Sequence, residues 1–224
     1  YGNGFYSSHG CRLQAVEASA APAPKAAPAP AAAAAGSAAQ KPKDSIAELV
    51  EKCAGSVVVI RTDVGAGSGF FIRPEGLLVT NYHVVAGSRQ ITIDHFGSGR
   101  RESSMGRAVA VDVANDLALV QIDVRQALPC LSLEGNGSAL RGGDPVVVIG
   151  NPGVGNKLLE YSVSNGILSS AIREIDGRKF LQTTAAINSG NSGGPLLSMD
   201  GRVIGVVTAK AVDKDSIGFA VPAA

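Results

Sequence analysis

Residues 56–85 read SVVVIRTDVGAGSGFFIRPEGLLVTNYHVV, and their pattern settles the kind of fold. The apolar residues fall in short runs, Val57–Arg61, Gly69–Ile72 and Leu77–Thr80, separated by Gly, Asp and Pro. Runs of this length, rich in β-branched residues and bounded by turn formers, predict strands. The same signal continues outward through Gln90–Asp94, Arg107–Val111 and Leu117–Ile122. A second set follows at Pro145–Ile149, Glu160–Ala171, Lys179–Thr184, Pro195–Leu197, Arg202–Ala209 and Ile217–Val221, with Gly135-Asn136-Gly137 between the sets. Asp176-Gly177 and Asp200-Gly201 predict hairpin turns. Strands and helices do not alternate, which argues against an α/β fold. The expectation is an all-β chain folded as two six-stranded antiparallel β-barrels, about 56–125 and about 129–224.

Ahead of the first strand, Ser45-Ile46-Ala47-Glu48 fits a capping box. Ile46, Leu49, Val50 and Cys53 follow on one face at helical spacing, and Gly55 offers a stop. One short amphipathic helix is therefore expected within a folded domain spanning 44–224. Residues 19–43 are almost entirely Ala and Pro. Proline lacks the amide donor a helix needs, so this segment reads as an extended linker, and residues 1–18 as a tail of unknown role. The chain opens on Tyr1, as a processed or excerpted sequence does, and no secretory signal is legible in it.

Composition excludes several function classes. The formal net charge is +1 and no basic run is present, so the clustered positive face of a nucleic-acid binder is missing. No apolar stretch approaches the roughly 18 residues of a membrane span. Cys11, Cys53 and Cys130 are widely spaced and form no CxxC pair, which speaks against a zinc or redox motif. Cys53 and Cys130 are better read as free thiols than as a disulfide.

Three short segments carry candidate chemistry. Gly190-Asn191-Ser192-Gly193-Gly194-Pro195 sets a serine among glycines. A nucleophilic hydroxyl needs a sharp turn that exposes it and backbone amides aimed where an oxyanion forms; a plain glycine turn has the same composition. His83, in Thr80-Asn81-Tyr82-His83-Val84-Val85, follows an apolar strand; taken alone it reads as a core histidine, yet a neutral imidazole there is able to take the serine proton. His9 lies in the tail and His95 in an expected hairpin. Asp116, in Asn115-Asp116-Leu117-Ala118-Leu119, enters an apolar strand, where it reads either as a strand-entry cap or as the buried acid that orients the imidazole. Asp112 and Asp123 flank it as alternatives. The order His, Asp, Ser is that of the chymotrypsin-type triad and not of the α/β-hydrolases.

With these segments in hand, the chain resembles the HtrA/Deg branch of the trypsin-like serine proteases. The resemblance rests on Gly67-Ser68-Gly69-Phe70, the His83 and Asp116 segments, Ala185 through Leu196, and Gly218-Phe219-Ala220-Val221-Pro222. It covers about residues 44–224. It implies a chymotrypsin/trypsin-type fold with His83 and Asp116 from the first barrel and Ser192 from the second as catalytic triad. It further implies an oxyanion hole made by the amides of Gly190 and Ser192, and a substrate pocket based on Ala186 and lined by Thr208 and its neighbours. An alanine at the pocket base implies small or medium apolar side chains at the cleaved position. The expected activity is a serine endopeptidase acting on unfolded proteins or peptides, with no metal and no cofactor. The resemblance also brings in a homotrimer, PDZ domains beyond the protease domain, and an extracytoplasmic (periplasm or cell envelope) or organelle location. Thr184 and Val207 depart from the branch, which usually has Asp and Asn there. The competing reading is a latent or inactive scaffold that binds peptides without cleaving them.

Overall fold

The computed structural model describes residues 45–97, 100–135, 140–150, 153–154, 157–158, 162–188, 190–210 and 217–223. The expected tail and linker, with Cys11 and His9, lie outside these residues, as does most of the Gly135-Asn136-Gly137 spacer. Helix α1 (Ile46–Cys53) opens with the full capping box: the Glu48 amide donates to the Ser45 side chain, and the Glu48 carboxylate accepts from the Ser45 amide at 2.7 Å. The helix ends by tightening into a 3₁₀ turn, Ala54–Ser56, with Ala54 in right-handed backbone. Gly55 therefore does not serve as the left-handed stop.

The first barrel contains β1 (Val57–Thr62), β2 (Ala66–Arg73), β3 (Leu77–Thr80), then a single helical turn α2 (Tyr82–Val85), β4 (Ile91–Gly97), β5 (Arg100–Asp112) and β6 (Leu117–Ile122). It closes in the order β1-β2-β3-β6-β5-β4. After β7 (Pro145–Gly150), two short strands, β8 (Gly153–Val154) and β9 (Lys157–Leu158), pair with each other alone. The second barrel adds β10 (Ser162–Ile175), β11 (Arg178–Thr183), β12 (Pro195–Ser198), β13 (Val203–Lys210) and β14 (Gly218–Pro222), closing as β10-β11-β14-β13-β12-β7. All pairings within both barrels are antiparallel. The β10–β11 hairpin turns on Asp176 (φ 50°) and Gly177 (φ 74°), the doubly positive backbone of a type I′ turn.

Alternation along the strands explains why the apolar runs are unbroken. Successive side chains point to opposite faces. Phe71, Leu78, Val58 and Ile60 fill the first barrel. Their neighbours Phe70, Val79 and Val57 face a second cluster with Val147, Ile149, Leu197, Val203 and Val206 of the other barrel. Val146 and Val148 then point into the second barrel. Strands at the junction thus bury both faces. Leu49 and Cys53 of α1 complete the junction cluster, with Ile46 and Val50 packed at its edge. The apolar face of the helix is therefore used on its own domain. Among the described residues no helix is long and apolar enough to cross a membrane.

Candidate active site

His83 and Asp116 meet because β3 and β6 are partners, with Thr80 opposite Ala118. Each strand delivers its candidate at the same barrel end. Val84 and Val85 are buried in the first barrel core, which pins the α2 turn and leaves His83 facing out with half its side chain exposed. The Asp116 carbonyl accepts from the Tyr82 amide at 3.1 Å and from Asn81 Nδ2 at 2.9 Å. Asp116 itself adopts φ 57°, a left-handed backbone that Asp tolerates better than most residues. Its carboxylate gathers three donors: the His83 amide on Oδ1 at 2.9 Å, His83 Nδ1 on Oδ2 at 2.8 Å, and Thr208 Oγ1 on Oδ2 at 2.7 Å. Burial pushes this carboxyl up, but the hydrogen bonds from His83 and Thr208 outweigh it and hold the group below its ordinary carboxylate range.

That direction carries a stability prediction. A carboxyl whose folded value is depressed stabilises the fold above the ordinary range, near pH 4, and loses that contribution as pH falls through the depressed value. Urea midpoints measured at pH 6 and pH 3 are therefore expected to drop more for the wild type than for Asp116→Asn. Equal drops would show that Asp116 contributes no such linkage.

The second barrel supplies Ser192 at the turn before β12. The turn is held by the Gly194 amide on the Asn191 carbonyl (2.9 Å), the Asn191 amide on the Asn188 carbonyl (3.0 Å), and a reciprocal pair between Gly193–Gly194 and Val207 (2.8 and 2.9 Å). The Ser192 hydroxyl donates to the Thr208 carbonyl at 3.4 Å. Among the described residues no hydrogen bond joins Ser192 to His83, a contact that often tightens only when substrate is bound. Among the described residues the Gly190 and Ser192 amides donate to no backbone acceptor. Among those residues no cluster of three metal-ligating side chains converges anywhere.

Comparison with known proteins identifies the family. The family description "Trypsin-like peptidase domain" matches residues 67–206. The chain belongs to the trypsin-like peptidase family, in its HtrA/Deg branch. The "Probable periplasmic serine endoprotease DegP-like" of Rickettsia prowazekii (strain Madrid E) is 43% identical over 165 residues, covering 70% of this chain and 31% of that protein. "Serine protease HTRA2, mitochondrial" of Bos taurus is 37% identical over 195 residues, 79% of this chain and 40% of that protein. The chain thus spans well under half the length of these relatives. Among solved structures, "HtrA-type protease AlgW with decapeptide" superposes with a TM-score of 0.69 at 30% identity, covering 80% of this chain and 64% of that one. Deg5 superposes at 0.67 and 37% identity, covering 79% and 87%.

The other residues singled out in this trypsin-like peptidase fall as follows. Thr208, read from the sequence as lining the substrate pocket, donates its hydroxyl to Asp116 and accepts from Ser192 through its carbonyl. Ala186 is exposed between buried Ala185 and Ile187, and its carbonyl accepts from Ser164 Oγ at 2.7 Å. Thr184 bridges strands, its Oγ1 accepting from the Ile167 amide at 3.0 Å, and Val207 is fully buried in the second barrel. Of the alternative acids, Asp112 is occupied by Asn115, whose side chain and amide donate to it at 2.7 and 3.1 Å, and Asp123 lies beyond the far end of β6. The core histidine is His95, 3% exposed, edge-on to Phe71 and with Nε2 3.0 Å from Ser104 Oγ; His83 is the outward one. Cys53 is a buried free thiol, pushed up by that burial, and Cys130 an exposed one. Sequence reasoning assigned no role to Ser68 or Thr80, both of which bind this site.

Proposed function

We propose that the chain is a serine endopeptidase in which Ser192, His83 and Asp116 form the catalytic triad. One observation carries the reading: Thr208 of the second barrel binds Asp116 through its hydroxyl and Ser192 through its carbonyl, so acid and serine are joined through one residue across the cleft. Asp116 accepts a hydrogen bond from His83 Nδ1–H and so holds the proton on that nitrogen, which leaves Nε2 free to accept one. Ser192 Oγ attacks the scissile carbonyl while His83 takes its proton. The oxyanion is received by the Gly190 and Ser192 amides. His83 then protonates the leaving amine, and water repeats the cycle on the acyl-enzyme. These steps call on no metal and no cofactor. Ala186 brings no charge to the region where the family's pocket lies, which supports unfolded proteins or peptides with small or medium apolar residues at the cleaved position. The names of the relatives support a site of action outside the cytoplasm or within an organelle. In a homotrimer, contacts would fall on surfaces other than the apolar face of α1.

The test is labelling with a fluorophosphonate probe, the adduct mapped by mass spectrometry. An adduct on Ser192 that is absent in Ser192→Ala is the expected result; an intact protein with no adduct overturns an activated serine in the free chain. A latent form is the second reading, favoured by the Ser192 hydroxyl resting on Thr208 and not on His83. Labelling that rises on addition of a peptide ligand distinguishes it from the first.

A further inference from the structure

We propose that Ser68 is a positioning residue for the oxyanion hole, its hydroxyl fixing the Gly190–Asn191 peptide so that the Gly190 and Ser192 amides point at the same place. This role rests on the serine endopeptidase reading and deepens it.

Ser68 sits on β2 of the first barrel and is fully buried. Its Oγ donates to the Gly190 carbonyl at 2.6 Å across 122 positions of sequence. Its amide donates to the Ser192 carbonyl at 2.9 Å. One residue therefore holds the carbonyls of both residues whose amides would meet the oxyanion. Ser68 is itself fixed, because its carbonyl accepts from Thr80 Oγ1 at 2.7 Å, a bond buried just ahead of His83. On its other side the Gly190–Asn191 peptide is held by the Asn191 amide on the Asn188 carbonyl at 3.0 Å.

The geometry makes the hydroxyl consequential. Gly190 has φ 98°, and glycine rotates there at little cost. A peptide unit beside a freely rotating glycine keeps one orientation only if both its oxygen and its N–H are engaged. Removing the Ser68 hydroxyl leaves the Gly190 carbonyl without its donor, and a partly buried carbonyl then gains by turning toward water. The Gly190 amide lies two bonds away on the preceding peptide, so the turn reaches it through the backbone torsions of Gly190 itself, which glycine changes at little cost. Ser68 holds backbone carbonyls and not the reacting atoms, so its loss reaches catalysis through the aim of the oxyanion donors, which matter most in the transition state.

The experiment compares Ser68→Ala and Ser68→Cys with the wild type. Read-outs are kcat and KM on a chromogenic peptide, the affinity of a peptide boronate, the affinity of the matching uncleavable peptide, and the melting temperature. Removing an oxyanion donor outright costs about 10²–10³-fold in kcat; misaiming one is expected to cost about 10–100-fold. For Ser68→Ala, kcat and boronate affinity should fall together by that factor, with KM and peptide affinity unchanged. Ser68→Cys keeps a γ-atom donor, weaker and somewhat larger, and should fall between alanine and wild type. Unchanged kcat and boronate affinity overturn the role. So does a loss shared equally by peptide affinity and melting temperature, which marks Ser68 as structural only. Should the alanine variant fail to fold, the cysteine variant decides by the same split. A wild type that neither hydrolyses peptide nor takes the fluorophosphonate defeats the endopeptidase reading itself, whereas an active wild type with unaffected Ser68 variants defeats only this inference.

Discussion

Turnover is expected to fall about 10⁴-fold in Asp116→Asn and by 10⁴- to 10⁶-fold in His83→Ala, with both barrels still folded. His83→Ala removes the only imidazole at the cleft among the described residues. The asparagine variant acts more subtly. Three donors converge on the Asp116 carboxylate, two of them on Oδ2, and an amide has only one accepting oxygen. If that oxygen takes the Oδ2 position, the new NH₂ confronts the His83 backbone amide, a donor that has no alternative role. If it takes the Oδ1 position, the NH₂ faces His83 Nδ1 and Thr208 Oγ1, both of which can adapt: the hydroxyl accepts, and the imidazole shifts its proton to Nε2. The second arrangement satisfies every group and is the one expected. It leaves the proton on the nitrogen that must accept one from Ser192. Steady-state hydrolysis of a peptide substrate, with circular dichroism to establish the fold, checks this. An Asp116→Asn variant that keeps more than a tenth of wild-type kcat would falsify the role given to Asp116.

The same residues show what sequence can and cannot carry. Val57–Ile60 and Val146–Ile149 are legible as strands because both their faces are buried, one in a barrel and one at the junction, so every position is apolar. The capping box at Ser45 is legible because it is local. By contrast, β5 begins at Arg100, well before the apolar run at Arg107. Its first half, Arg-Arg-Glu-Ser-Ser, is held by main-chain pairing to β4, Gly97 opposite Arg100 through Ile91 opposite Gly106, and its side chains give no apolar signal. Likewise β10 runs on past Ala171 to Ile175 through Arg173 and Glu174. The two histidines illustrate a second limit. His83 has the more apolar neighbours in sequence, yet it lies on a helical turn whose valines face inward, while His95, next to Asp94, shares the inward face of β4 with Ile91 and Ile93. Thr208 and Ser68 mark a third. Each is an ordinary hydroxyl in its own segment, and each acts through a partner 92 or 122 positions away. Candidate triad residues sit in compact motifs; the hydroxyls that support them do not.

The largest expected effect on the architecture of the site comes from Gly193→Ala. Gly193 has φ 85°, and a Cβ there would lie 2.2 Å from the Ser68 carbonyl oxygen and 2.3 Å from Thr80 Oγ1. Neither neighbour can move aside. The first is backbone of a central strand, and both belong to the hydrogen bond that joins β2 to β3. The left-handed backbone alone costs a non-glycine residue about 1–2 kcal/mol; the clash adds to it and is relieved only by moving the nucleophile turn off the first barrel. That movement breaks the Ser68–Ser192 and Ser68–Gly190 bonds at once. Gly177→Ala separates the two contributions. Gly177 has φ 74° but open space where its Cβ would stand, so this variant carries the backbone cost without the clash. Urea unfolding should show Gly177→Ala destabilised by about 1 kcal/mol with fluorophosphonate labelling of Ser192 intact. Gly193→Ala should lose about 3 kcal/mol or more, with labelling reduced at least 100-fold. If the two glycine variants behave alike, close packing of Ser192 against the first barrel is not what holds the nucleophile in place. If they separate as expected, contact between the barrels at Ser68 and Thr80 sets the nucleophile's position as much as the turn in which it sits.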